Sequence, residues 1–145
     1  MSQPIPPTRT LALKIATWLL FAQANALLTL GILNFLNLGL GATLTSENAI
    51  SILFQGLTGS IIFIALACIT FVATFNLWRM DNLAWTMGVL SQGLILLTAL
   101  IIFFEGFLSI YAYGMMASGI FMVIYLHLPE IIGALRQVND DPSKE

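Results

Sequence analysis

The sequence predicts an all-α integral membrane protein, an antiparallel four-helix bundle with both termini in the cytoplasm. Three observations predict this fold. Of the 145 residues, 59% are hydrophobic and only 8% are charged, and the mean hydropathy is +0.94, a composition that water-soluble domains do not show. The apolar residues fall into four long runs with short polar breaks. Finally, if the four runs cross a membrane in alternate directions, all Lys and Arg residues lie on the same side of it.

Each apolar run is long enough to cross about 30 Å of hydrocarbon, which takes about 20 helical residues. The predicted spans cover residues 15–38, 50–77, 83–104 and 107–128 of a single domain, 1–145. The breaks between them contain Gly, Ser, Asn and Asp, which are typical of helix ends. Because these connections are short, consecutive helices are expected to lie side by side and antiparallel.

The distribution of charge predicts how the spans are oriented. One side of the four-span scheme carries every cation, and the other side carries only Glu47 and Glu105. By the positive-inside rule, the cationic side faces the cytoplasm, which predicts a multi-pass membrane protein with both termini inside. The five cations are Arg9, Lys14, Arg79, Arg136 and Lys144.

The two ends of the chain allow further predictions. Basic residues before an apolar stretch and the small-residue sequence Ala22-Gln23-Ala24 imitate a secretory signal. The apolar run continues through Leu38, however, which favours an uncleaved membrane anchor. After the last span, Pro129 is expected to begin a short interfacial helix, residues 129–138, followed by a polar tail, 139–145. The apolar residues expected to rest on the lipid headgroups are Ile131, Ile132, Leu135 and Val138.

Small and polar side chains mark the faces on which helices meet in lipid. In the second span they form one stripe, and Leu57, Ile61 and Cys68 lie opposite. In the fourth span, Gly114 and Ser118 are predicted to form a small-xxx-small contact with a neighbouring helix. The stripe of the second span consists of Gly56, Gly59, Ser60, Phe63, Ala67, Thr70 and Thr74.

Three polar residues are expected at the same depth inside the bundle. Gln23, Gln92 and Ser118 each lie nine residues from a residue at the cytoplasmic side, namely Lys14, Leu83 and His127, so they predict a polar layer. Two interpretations remain open. The amides fix the register of the helices, or they line a cavity for a lipid tail, a quinone-like molecule or a pigment. Asn25 points away from Gln23, and because a lipid-facing amide is costly, it predicts contact with a partner protein or a second copy.

Composition also excludes several functions. A formal net charge of −2 is unsuited to nucleic acid, and a single Cys and a single His cannot build a disulfide or a multi-residue metal site. No charged residue lies inside a span, which argues against ion-coupled transport. No catalytic residue, cofactor or metal is therefore predicted, and His127 is interpreted as an interfacial residue at a helix end.

The segment 119–130 ends with Tyr125-Leu126-His127-Leu128-Pro129. It resembles the closing segment of small, uncharacterised four-helix bacterial membrane proteins, in which the last helix often ends with a Tyr-Leu-x-x-Pro pattern. The resemblance implies an architecture and transfers no catalytic residue. The sequence alone favours an accessory or interaction subunit in the membrane, and the alternative is a binder or carrier of a small lipophilic molecule within the helix bundle.

Overall fold

The structure is a computed structural model that describes residues 11–41, 49–81, 83–104 and 110–139. Within these ranges the ordered elements are all helices and no strand occurs, which confirms the predicted all-α class. The elements are α1 (Leu11–Gly41), α2 (Ala49–Arg79), α3 (Ala84–Phe104), α4 (Ile110–Leu126) and α5 (Pro129–Asn139).

Within the described ranges, three segments are long and apolar enough to cross a membrane: Leu11–Leu36, Gly56–Arg79 and Ala84–Phe104. α4 is apolar as well, but it has 17 residues and is therefore about 25 Å long. The first three predicted residues of the fourth span, 107–109, lie outside the described residues, as do Asn82, the breaks at Thr45–Asn48 and Glu105-Gly106 and the tail after residue 139.

The helix bounds differ by a few residues from the predicted spans. The largest difference is at the start of α1, which begins at Leu11 rather than at residue 15. Ala12 and Leu13 are buried there, so the helix has an apolar contact that continues past Lys14. The hydrophobic run predicts too short a helix because the run stops at Lys14. A lysine on the exposed face of a helix does not interrupt the helix.

The turn between α2 and α3 is closed by backbone hydrogen bonds. The Asp81 N–H donates to the Asn76 carbonyl over 3.1 Å and the Met80 N–H donates to the Leu77 carbonyl over 3.3 Å, the Schellman pattern of a helix end. Met80 occupies the left-handed position of this motif, with φ at 57°, which usually requires glycine. Its side chain is buried, and this packing offsets the backbone strain.

The helices enclose two apolar clusters. The first core cluster joins the start of α1, the end of α2, the start of α3 and the end of α4, together with α5. The second core cluster joins the middle parts of α1 and α2 to α3 and α4. The first consists of Ala12, Leu13, Ala16, Leu20, Leu77, Met80, Ala84, Met122, Leu126 and Ile131. The second consists of Leu27, Leu66, Ala67, Ile95, Ala99 and Met115.

α5 differs from the predicted surface helix. Ile131 is fully buried in the first core cluster, so the expectation that it rests on the headgroups is wrong, while Leu135 is half-buried against the same cluster. The chain turns at Leu128, whose carbonyl accepts hydrogen bonds from Ile131 and Ile132. This turn folds α5 back onto α1 and α3, where its apolar side closes the end of the core.

The face of α2 that packs on other helices is the predicted one, whereas the packed face of α4 is displaced from the prediction. On α2, Ala67 and Thr70 are buried and Cys68 is exposed. On α4 the buried stripe is Ala112, Met115, Gly119, Met122 and Leu126. A Cβ placed on Gly114 would meet nothing within 4 Å, so the predicted close contact is wrong for Gly114, whereas Ser118 does meet a neighbouring helix through Gln23 of α1.

The displacement on α4 has a steric reason. α4 packs mainly on α3, and Gly119 is the small residue at that contact. A Cβ there would lie 2.9 Å from Cγ of Leu96 on α3, a distance that only a glycine permits without a shift. The stripe that includes Gly114 and Ser118 therefore turns toward α1 instead.

Candidate functional site

The structure brings together Gln23 on α1, Gln92 on α3 and Ser118 on α4. Gln92 Nε2 donates to Gln23 Oε1 over 2.9 Å, and Gln23 Nε2 donates to Gln92 Oε1 over 3.1 Å. Gln23 Nε2 also donates to Ser118 Oγ over 3.3 Å, and this hydroxyl donates to the Met115 carbonyl over 3.1 Å. We call these three side chains the polar layer.

The polar layer lies between the two core clusters. On α1, Gln23 falls between Leu20 of the first cluster and Leu27 of the second. On α3, Gln92 falls between Ala84 of the first cluster and Ile95 of the second. Apolar contacts above and below such a layer exclude competing water, which strengthens its hydrogen bonds.

Burial within the polar layer is unequal. Gln92 is 0% exposed, whereas Gln23 is half-buried and Ser118 is exposed. Both amides use both their donor and acceptor groups within the layer. Because these bonds satisfy the buried Gln92 without any ligand, they support the interpretation that the amides fix the helix register.

A cleft of about 470 Å³ lies beside the polar layer, between α1 and α4. Gln23 and Ser118 stand on its wall, and Gln92 lies behind Gln23 rather than on the surface of the cleft. We call this space the α1–α4 cleft. Its lining residues are Leu19, Ala22, Gln23, Ala26, Leu27, Leu30, Ile95, Ile110, Tyr111, Gly114, Met115, Ser118, Phe121 and Met122.

Small residues produce the cleft. Ala22 and Ala26 on α1 face the space that Gly114 and Ser118 border on α4. The methyl groups of Ala22 and Ala26 do not fill the gap opposite Gly114, and α1 touches α4 only sparingly. Near the other end of the two helices, the Tyr125 hydroxyl donates to the Ala12 carbonyl over 3.4 Å and holds them together there.

The wall of the cleft is hydrophobic apart from Gln23, Ser118 and Tyr111. Among the described residues, no group of three or more His, Cys, Asp or Glu side chains lies close enough together to hold a metal ion.

Asn25 is exposed on α1, on the side predicted. The side-chain Nδ2 of Asn25 donates to the backbone carbonyl of Phe21 over 2.8 Å. The backbone carbonyl of Asn25 accepts a hydrogen bond from the Thr29 hydroxyl over 2.8 Å. The amide therefore has a partner on its own helix. This bond removes part of the reason for expecting a second chain at Asn25.

Trp85 and His127 form a contact that the sequence did not indicate. Their rings meet edge to face with centroids 5.5 Å apart, and Nε1 of Trp85 is buried with no hydrogen-bond partner among the described residues. His127 is exposed, and its Nδ1 donates to the Val123 carbonyl over 2.7 Å. Trp85 is half-buried, in contrast to Trp18 and Trp78, which are exposed.

Comparison of the chain with protein-family models, with curated proteins and with solved structures finds no match.

Proposed function

We propose that this chain is a multi-pass protein of a bacterial cytoplasmic membrane, with α1 to α4 as four antiparallel spans and both termini in the cytoplasm. Three helices of sufficient length and hydropathy support the membrane location. The first core cluster supports the antiparallel order because it joins the start of α1 and α3 to the end of α2 and α4. Lys14 and Arg79 lie beside that cluster, which the positive-inside rule assigns to the cytoplasmic side.

Within this membrane protein, the proposed function is to bind a small lipophilic molecule in the α1–α4 cleft, without catalysis. The observation that carries the proposal is the cleft itself, whose 470 Å³ falls within the range of about 300–1,000 Å³ typical of small-molecule sites. Such sites combine a largely apolar wall with a few polar groups that fix the orientation of the ligand. Gln23 and Ser118 supply those groups at the middle of the cleft.

The test is native mass spectrometry of the full-length protein in lipid nanodiscs, followed by identification of the small molecules that stay bound. Gly114→Leu is the informative variant, because a side chain at this position extends into the cleft without meeting another atom nearby. Gly93→Leu is the matched control, since Gly93 is exposed on α3 and also has nothing within 4 Å. Both variants add the same side chain to a helix.

We expect the wild-type protein and Gly93→Leu to retain the same molecule at similar occupancy. Gly114→Leu should lower that occupancy about tenfold or more, because four added carbon atoms occupy space that the ligand needs. Equal retention by both variants would refute the cleft as the binding site. A wild-type protein that holds nothing except bulk lipid would refute the proposed function altogether.

The second candidate function is an accessory subunit that contacts another membrane protein or a second copy of this chain. Asn25 favours this candidate, because its carboxamide is exposed on a helix that is long enough to cross the membrane, and polar side chains promote helix association in lipid. In the same nanodisc experiment, a stoichiometric protein partner or a dimer without a small molecule would favour this function over lipophile binding. Neither candidate involves nucleic acid.

A further inference from the structure

A second, smaller pocket lies between the start of α1 and the end of α2. Its volume is about 120 Å³, and it is lined by Leu13, Lys14, Thr17, Trp18, Leu77 and Trp78. Leu13 and Leu77 are each 1% exposed and form an apolar floor. Lys14 and the two indoles are exposed and form the rim. We call this space the Lys14 pocket.

The electrostatics of the Lys14 pocket favour an anion. Among the residues that the structure describes, Lys14 is the only charged one that lines the pocket, and none that lines it carries a carboxylate. The Thr17 hydroxyl donates to the Leu13 carbonyl over 2.8 Å, which leaves the ammonium group as the main donor to a ligand. Arg79 is nearby in sequence, but its guanidinium carbon lies 5.2 Å from the centre of the Phe75 ring, and Arg79 does not line the pocket.

The aromatic rim points to a lipid rather than a soluble anion. Tryptophan side chains concentrate at the level of the headgroups, where the ring is apolar and its N–H can meet water or phosphate. Trp18 and Trp78 flank the pocket on α1 and α2, so an acyl chain can lie along apolar surface while its phosphate meets Lys14. Basic pockets between membrane helices on the cytoplasmic side are a known way of binding anionic lipid headgroups.

We infer that the Lys14 pocket binds the phosphate group of an anionic phospholipid from the cytoplasmic leaflet. A volume of 120 Å³ equals that of about four water molecules, enough for a phosphate group and its first ester oxygens. This inference rests on the proposed orientation in the membrane but not on the α1–α4 cleft, since the two pockets share no lining residue.

The test uses the fluorescence of the two rim tryptophans. In full-length Trp85→Phe protein, the remaining tryptophans are Trp18 and Trp78. This protein is placed in phosphatidylcholine vesicles that contain a small fraction of lipid brominated near the carbonyl, which quenches tryptophan on contact. The brominated lipid is either phosphatidylglycerol or phosphatidylcholine. Lys14→Gln is the test variant, and Arg79→Gln is the matched control because it removes one positive charge outside the pocket.

We expect brominated phosphatidylglycerol to be about five times more enriched at the tryptophans than brominated phosphatidylcholine, the ratio that corresponds to one cation near the membrane surface. Lys14→Gln should abolish this preference, and Arg79→Gln should keep most of it. Quenching by brominated phosphatidylcholine should be equal in all variants, which shows that the tryptophans keep their depth and that the fold is intact. Added salt should weaken the preference.

Three results would overturn the inference. The first is equal quenching by the two lipids in the parent protein. The second is an equal loss of preference in Lys14→Gln and Arg79→Gln, which would indicate diffuse surface charge. The third is displacement of phosphatidylglycerol by millimolar inorganic phosphate, which would assign the pocket to a soluble anion.

Discussion

α1 packs against α2 and against α4 in opposite ways. Toward α2, Gly31 lets the two backbones approach closely, so that a Cβ on Gly31 would lie 2.9 Å from Cγ1 of Ile64 and 3.3 Å from its backbone nitrogen. Toward α4, Ala22 and Gly114 border a cleft of about 470 Å³. A small residue in a membrane helix can therefore mark either a close contact with the neighbouring helix or an open space beside it.

The two sides of α1 also differ in how polar groups are used. On α2, the buried hydroxyls of Ser60, Thr70 and Thr74 donate to carbonyls of their own helix. Toward α3 and α4, Gln23 bonds across helices to Gln92 and Ser118. The α1–α2 contact is therefore held by close packing, while the link from α1 to α3 and α4 includes hydrogen bonds beside an opening.

The largest effect is expected from adding a methyl group to the closely packed side. Gly31→Ala forces α1 away from the backbone of Ile64 and should lower the free energy of unfolding by about 1–3 kcal/mol, the usual cost of overpacking. Gly114→Ala is the matched control, because its methyl group enters the α1–α4 cleft and meets nothing within 4 Å. Reversible unfolding in mixed detergent micelles measures both.

Gly114→Ala should leave the stability unchanged or raise it by up to about 1 kcal/mol, since alanine is the better helix former. The helix propensity gain applies equally at both positions, so the difference between the variants isolates the steric clash. Equal stabilities of the two variants would contradict the close approach of α1 and α2.

A medium effect is expected in the polar layer, and it should be asymmetric. Gln23→Leu leaves the fully buried Gln92 without its partner on α1, which costs about 1–3 kcal/mol for an unsatisfied buried polar group. Gln92→Leu leaves Gln23 with its Ser118 bond and with the cleft beside it, so the loss should be nearer 0.6 kcal/mol, the average for an interhelical hydrogen bond in a membrane. The same unfolding assay compares the two variants.

The double variant Gln23→Leu/Gln92→Leu checks the origin of this asymmetry. If an orphaned Gln92 causes the larger loss, removing it should recover part of the stability lost in Gln23→Leu. If the stability loss of the double variant equals the sum of the losses of the two single variants, the two amides do not act as a pair.

The sequence predicted the helical class well because hydropathy is a property of long segments. It also indicated the depth of Gln23, Gln92 and Ser118, since depth follows from counting residues along a helix at a fixed rise. Depth alone does not distinguish the wall of a cleft from a packed interior. That distinction depends on which helix each face meets, and a single amphipathic stripe does not specify the neighbour.

The errors on α4 and α5 have the same origin. Gly114 and Gly119 are both small residues on α4, but only Gly119 meets a side chain, Leu96, on the neighbouring helix. The sequence favours a surface position for Ile131 because α5 is short and begins with a proline. Its burial depends on the turn at Leu128, which folds α5 onto α1 and α3. Tertiary contacts of this kind have no local sequence signal.

The smallest effect is expected at Asn25, outside both the close contact and the cleft. Its side chain is exposed and bonded to the Phe21 carbonyl of the same helix. A membrane protein unfolds to separated helices that remain in lipid, so the surroundings of Asn25 change little on unfolding. Asn25→Leu should therefore alter the free energy of unfolding by less than about 0.5 kcal/mol. Association is tested in parallel by energy transfer between labelled copies in nanodiscs. A loss of energy transfer in Asn25→Leu at unchanged stability would identify Asn25 as a contact between chains. That result would favour the subunit function over lipophile binding in the α1–α4 cleft.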